Sequence, residues 1–344
     1  MAEQTYTVRY LQGVLHSLIR PNSFLSRRYF PKMVLSEAEE ISFDVEDADE
    51  KLAPFVSPVV AGAVMQELGF KTTTIKPAYI KIKTPLAPMK SIKRAMGESF
   101  GTGTMTRAQR QQLRVATTLS RHQDRIARRR EWMAAEILVK GSMTIEGDGY
   151  PKHDINFGRS ANLGIQLTLA DRWSQGTADP IRDLENWAHE VFVTCGAVVT
   201  EIVMDPKAWA AFRANEKVLK LLDVRRADGA GPLNIGPQQP VAEGAVFVGS
   251  LNAFQIFVYA ASYIAENGAR TPYLPAGTVL GMTSAFDGVQ YYGAIEDEEA
   301  GIKPYETFTK SWLNDDPSVR FVLSQTAPIL APGRKDGAFS ANVL

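Results

Sequence analysis

An unbroken helical pattern runs from Thr106 to Lys140, with no proline or glycine inside it and Gly141 in the position of a C-terminal cap. That is longer than a typical compact domain accommodates. Its sides are unequal as well. At about 100° per residue, Arg107, Arg110, Arg114, Arg121, Arg125 and Arg128 fall within roughly 40° of one line. Val115, Leu119, Ile126, Met133 and Ile137 follow a second line about 120° away. The pattern is a thin apolar seam beside an arginine ridge.

Arginine following arginine at i,i+4 spacing is mildly destabilising unless something anionic faces the ridge. Three partners stay open on these residues: counterions in solvent, an acidic protein surface, or phosphate. One acidic candidate lies in the same chain. "SEAEEISFDVEDADEK" holds eight acids from Glu37 to Glu50, Glu39, Glu40 and Asp47 among them, with no base before Lys51. The 38 basic and 38 acidic residues of the 344 cancel, so a nucleic-acid-binding protein working through the ridge, the alternative reading of the chain, has only a local patch to use.

Around the helix the sequence alternates extended and compact parts. Residues 1–35 mix basic and apolar groups and are interrupted by Pro21 and Pro31, which predicts an extended arm with at most one helical piece and no signal peptide. "KTTTIKPAYIKIKTPLAPMKSIK", residues 71–93, sets Ile80 and Ile82 against Lys81 and Lys83 between three prolines, the pattern of an exposed hairpin whose apolar face needs a cover. Short strands "SMTIEG" and "HDINFG" flank Gly147, Asp148 and Gly149. A compact α/β region follows: helix 181–195, strand 201–205, and helix 206–222 started by Asp205 and Pro206, then a Gly/Pro/Gln-rich loop at 227–244 and strands at 245–251, 254–264 and 278–282. A last strand, 320–330, returns toward the earlier part. The uncharged run 245–265 holds Asn252 and Gln255 and leads into "ENG", so it reads as buried strands and not as a membrane span.

No catalytic constellation emerges. Cys195 is the only cysteine, which excludes an internal disulfide and a thiolate metal cluster. The histidines at 16, 122, 153 and 189 are scattered without metal-ligand spacing. "GTGTMTR" at 101–107 lacks the lysine and spacing of a phosphate loop and reads as a hinge; "KHD" at 152–154 reads as a turn without a nucleophile nearby; Trp187, Trp209 and Trp312 read as core. No cofactor is expected.

Eight segments, in order over most of the chain, carry a resemblance: "VSPVVAG" (56–62), "PAYIKIK" (77–83), "LVKG" (138–141), "NFGRS" (156–160), "DPKAWAAFR" (205–213), "VYAASYIAENG" (258–268), "YLPAGTVLG" (273–281) and "DDPSVRFVLSQTAPIL" (315–330). With these the chain resembles the major capsid proteins of the bacteriophage lambda family, head proteins of tailed phages and prophages with the Hong Kong 97 fold. The resemblance implies an α+β fold: an N-terminal arm over 1–50, an extended β-hairpin loop over 51–95, a peripheral domain over 96–180 and 306–344 with its spine helix at 106–140, and a compact axial domain over 181–305. It implies a structural, non-enzymatic protein, made in the bacterial cytoplasm and resident in the virion, that self-assembles as hexamers and pentamers into an icosahedral head. A separate scaffold protein, a portal, non-specifically held double-stranded DNA and, in some relatives, a decoration protein are the implied partners, with no membrane. The ridge, the Ile80/Ile82 face and the acids Glu39, Glu40 and Asp47 are then expected contacts to neighbouring subunits, scaffold or DNA; no Lys–Asn cross-link is expected.

Overall fold

The computed structural model describes residues 8–17, 23–38, 40–45, 71–77, 79–87, 106–147, 150–220, 233–242, 244–316 and 318–344. The long helix forms over Arg107–Lys140. Thr106 and Gln109 cap its start reciprocally, each side chain bonded to the other's backbone N–H (3.3 and 2.8 Å). Gly141 closes it at φ +68°, donating its N–H to the Ile137 carbonyl at 2.8 Å. At about 1.5 Å per residue the rod is roughly 50 Å long, and what it covers explains its length. The N-terminal half packs Val115 and Leu119 on Leu11, Leu86 and Val322, while the C-terminal half carries Met133, Ala134, Ile137 and Leu138 into a second and larger core. Two separately packed regions share one helical wall.

The larger region is built on a seven-stranded mixed sheet, in the order Gly164–Gln166, Ala338–Asn342, Thr278–Thr283, Val199–Met204, Phe254–Tyr259, Ala245–Leu251, Leu233–Ala242. Both faces are covered at its centre, where Thr278–Thr283 is buried along its whole length. Ile202, Met204, Val279, Ile256 and Phe339 face the helices Pro180–Cys195 and Pro206–Ala214, meeting Leu184, Trp187, Val191, Ala208, Trp209 and Phe212. Val203, Leu280, Met282, Phe257 and Tyr259 face the long helix. The central pairing of Gly281 with Phe339 depends on glycine: a Cβ at 281 would lie 1.9 Å from the Phe339 ring.

The sheet ends on Gly164–Gln166, with Ala338–Asn342 between that strand and Thr278–Thr283. Several expectations are corrected here. The loop expected at 227–244 contains a strand, Leu233–Ala242, tolerated despite Pro237 and Pro240 because it is the sheet's edge. The helix expected over 206–222 stops at Ala214; Asn215 turns extended and caps a new helical turn through Lys217 N–H, 3.0 Å from its Oδ1. The strand expected over 254–264 breaks at Ala260–Ala261 into Phe254–Tyr259 and the hairpin strand Ser262–Ile264, which pairs with Arg270–Pro272 around Gly268.

The stretch 71–93 is not a hairpin with itself. Lys71–Ile75 pairs with Ile41–Val45, while Ile80–Leu86 becomes the edge of a three-stranded sheet with Val319–Thr326 and Phe308–Asn314. The expected strand 320–330 likewise divides at Ala327 between two sheets, its second part Pro328–Ala331 joining Val289–Tyr292 and Lys32–Leu35. "KHD" lies in the strand Tyr150–Asn156, paired with Ser142–Gly147, and not in a turn. The N-terminal region holds two helices, Val8–Ser17 and Leu25–Tyr29, where at most one helical piece was expected, and Leu11, Phe24, Leu25 and Phe30 are fully buried.

Candidate functional site

The long helix is the element that gathers the unusual chemistry, and it is fixed along its whole length. Beside the Gly141 cap, the Arg159 guanidinium donates to the last-turn carbonyls of Leu138 (2.8 Å) and Val139 (2.7 Å), placing a cation at the negative end of the helix. In the middle, Glu131 is 2 % exposed. Its carboxylate accepts from the backbone N–H groups of Phe24 (3.1 Å), Leu25 (2.8 Å) and Ser26 (2.9 Å), and from the Tyr259 hydroxyl (2.7 Å). Phe24 has no side chain able to cap Leu25–Tyr29, so an acid more than a hundred residues away does so, and anion and helix N-terminus attract. Arg130 beside it donates to the Tyr292 hydroxyl (2.5 Å) and to Glu306 (3.2 Å).

His122 ties the other half of the helix to the three-stranded sheet. Its Nε2 lies 2.8 Å from the Thr84 hydroxyl and its Nδ1 2.8 Å from the Ser324 hydroxyl, with the ring 1 % exposed. Burial first, and then the neighbouring Arg125 charge, lower its pKa to about 4. A neutral imidazole suits the pair, one nitrogen donating and one accepting.

The ridge divides in two. Arg114 is half-buried and donates to the Ala87 carbonyl at 3.2 Å, and Arg110 is half-buried as well. Arg121, Arg125 and Arg128 stand exposed, and none has an ion pair among the described residues. Arg129, one step around, is exposed with its guanidinium 5.2 Å from the Trp132 ring centroid. The side chains of Arg107, Glu39 and Asp47 lie outside the described residues. Glu40 is exposed and, like Glu37, makes no ion pair with the ridge among the described residues. Ile80 and Ile82 are half-buried on the same face as Thr84 and Leu86, the face turned to the long helix; Lys81 and Lys83 point outward, Lys83 resting 4.1 Å from the Phe321 ring centroid. The cover that this apolar face requires is therefore supplied partly within the chain.

Sequence reasoning passed over Glu131, His122, Arg130 and Arg159. Two had a readable signal: His122 and Arg130 fall within about 40° of the apolar seam, where a polar side chain is turned into the body. Glu131 belongs to a second buried line with Ala127, Ala134 and Leu138, and its small residues admit the Leu25–Tyr29 helix close to the rod. Trp187 and Trp209 are core, as their composition suggested, Trp187 stacked on Trp173 at 6.0 Å. Among the described residues no helix is long and apolar enough to cross a membrane.

The fold recurs in solved structures. The crystal structure of a protein described as a capsid protein of an Escherichia coli CFT073 prophage superposes with a TM-score of 0.78, covering 99 % of this chain and 100 % of that one at 22 % identity. The mature capsid of bacteriophage PhiM1 gives 0.53 over 94 % and 88 % at 12 % identity. The α+β fold is thus that of phage capsid proteins. In sequence, the chain is 30 % identical over 337 residues to the major capsid protein of Enterobacteria phage P21 and 28 % identical over 333 residues to that of Escherichia phage lambda, each alignment covering 94 % of this chain and 95 % of the relative. The model of the family described as phage major capsid protein E matches residues 7–343, and the chain belongs to that family. It is a structural protein of the virion head, not an enzyme.

Proposed function

We propose that this chain assembles with itself, as hexamers and pentamers, into a closed icosahedral phage head that encloses double-stranded DNA, guided by a separate scaffold protein and docked on a portal, with a surface able to take a decoration protein. The observation that carries this is the amount of interaction surface left open on a chain of capsid fold. Lys32–Leu35 is an edge strand, and its Met33, Val34 and Leu35 are 46 %, 42 % and 52 % exposed. An apolar edge of this kind is a liability on a solitary protein and an asset between repeated copies. Shells of this type combine many modest interfaces through symmetry.

In this reading the long helix is the spine of a peripheral domain over 96–180 and 306–344, residues 181–305 form the axial domain, and residues 51–95 reach over a neighbouring copy. Ile80 and Ile82, and the acids Glu39, Glu40 and Asp47, then lie near subunit contacts. The test is negative-stain microscopy of the purified full-length chain, alone and, where a scaffold protein is encoded beside it, co-expressed with that protein. Closed shells of uniform diameter are expected. Discrete small oligomers under every condition, scaffold included, would overturn the proposal.

A further inference from the structure

We propose that the exposed half of the arginine ridge, Arg121, Arg125 and Arg128 with Arg129 beside them, is a non-specific contact for the phosphate backbone of duplex DNA. The inference rests on the reading of the chain as a shell enclosing DNA, and it names the surface that would meet the polyanion. Four observations support it. The three ridge arginines occupy one side of the helix at i, i+4 and i+7 and have no acidic partner among the described residues, whereas Arg110 and Arg114 on the same line are half-buried and Arg114 is committed to a carbonyl. Of the acids beside them in sequence, Asp124 is half-buried and Glu131 is turned fully inward. The patch contains arginine and no lysine, and a planar guanidinium matches phosphate oxygens two at a time.

The fourth observation is shape. The patch lies on the outer side of a helix, about 12 Å long from Arg121 to Arg129. It offers no recognition helix standing free to enter a groove, since the opposite side is packed on two cores. Such a surface reads backbone charge and not base sequence. Duplex DNA carries one charge per ~1.7 Å of its axis, so ~12 Å of contact meets about seven phosphates with four cations. Each copy would bind weakly, and the repeated copies of a shell would sum the contacts. The continuous line of phosphates would also relieve the i,i+4 repulsion that the ridge carries when alone.

The test uses the full-length chain and a fluorescent 20-base-pair duplex, with anisotropy titrations between 20 and 200 mM NaCl. The wild type should bind with an affinity that falls linearly on logarithmic axes, and the triple variant Arg121→Gln, Arg125→Gln, Arg128→Gln should lose about 2.7 of that slope, the value for three phosphate contacts. Arg121→Lys, Arg125→Lys, Arg128→Lys should keep most of the slope, because the charge remains. Gln has nearly the helix propensity of Arg, and circular dichroism checks that the fold is retained. No binding by the wild type at 20 mM salt, or an unchanged slope in the Gln variant, overturns the proposal. Binding of a polyglutamate peptide in place of duplex, lost in the Gln variant, also overturns it and assigns the ridge to acidic protein. Particle formation, scored separately by microscopy, distinguishes failure of this contact from failure of the shell reading.

Discussion

Replacing Glu131 should release the N-terminal segment from the body while leaving the fold recognisable. The carboxylate meets four donors at 2.7–3.1 Å, three of them backbone N–H groups with no alternative side-chain cap. Hydrogen bonds to a charged group contribute roughly 1.5–3 kcal/mol each before desolvation, and a buried donor left unpaired costs about 1–3 kcal/mol. Burying the carboxylate offsets much of the gross gain. Glu131→Ala leaves a cavity and the donors, and is expected to lose about 3–5 kcal/mol. Glu131→Gln keeps one acceptor oxygen but turns an NH₂ group toward other donors, so it should lose less, about 2–3 kcal/mol. Against a typical total of ~5–15 kcal/mol, the first variant is expected to be marginal.

Two measurements separate a local from a global effect. Urea denaturation of the unassembled chain, followed by tryptophan fluorescence, gives the total loss. Hydrogen exchange at Phe24, Leu25 and Ser26 reads the bonds themselves: a local opening eased by about 3 kcal/mol accelerates exchange by roughly a hundredfold or more. Those amides should be the first to lose protection, ahead of Val203 and Leu280 in the central strands, which also belong to the larger core. If Glu131→Ala loses under about 1 kcal/mol and leaves the three amides protected, the carboxylate does not hold the segment and the reasoning fails.

Three further outcomes are expected. The neutral His122, with its pKa lowered to about 4, makes the unfolded chain the stronger proton acceptor, so its contribution is full above about pH 6.5 and is lost as pH falls toward 4; after discounting for screening this amounts to about 2–3 kcal/mol. The difference in urea midpoint between pH 7 and pH 4.5 should shrink in His122→Gln, and an unchanged difference would contradict the assignment. Gly281→Ala places a methyl group against the Phe339 ring and should destabilise by about 2–4 kcal/mol in thermal unfolding, where an ordinary surface Gly→Ala change would be neutral or stabilising. Arg159→Ala removes both donors to the end of the long helix and should lower stability by about 2–3 kcal/mol, with raised amide exchange confined at first to the hairpin Ser142–Asn156 and the last helical turn.

What could be read from the sequence divides by the range of the interaction responsible. The long helix was legible because its signals are local: a following glycine, an apolar seam and the absence of breakers within one segment. Asp205 with Pro206, and the hairpin around "ENG", were legible for the same reason. Leu233–Ala242 was not. Its glycine and prolines favour a loop, and it is a strand only because Ala245–Leu251 offers an edge on which Pro237 and Pro240 cost little. The strands Lys71–Ile75 and Ile80–Leu86 were seen, but their partners come from residues 41–45 and 319–326, and nothing within the segment names them. The Leu25–Tyr29 helix is the extreme case, since its cap is Glu131.

The same division applies to the ridge. Angular arithmetic put six arginines on one line and treated the line as uniform, but the five whose side chains are described, Arg110 to Arg128, differ in burial. The chain spends its two halves differently because the surroundings differ: near Ala87 a strand end comes close enough to offer a carbonyl to Arg114, whereas beyond Arg121 the outer side faces open space. The acids that stand beside the arginines in sequence do not neutralise them, because Glu131 is spent on the backbone of residues 24–26 and Asp124 is half-buried. A zero net charge therefore coexists with a local excess of three to four positive charges on one side of one helix. That imbalance, and not the overall composition, is the property a polyanion would recognise.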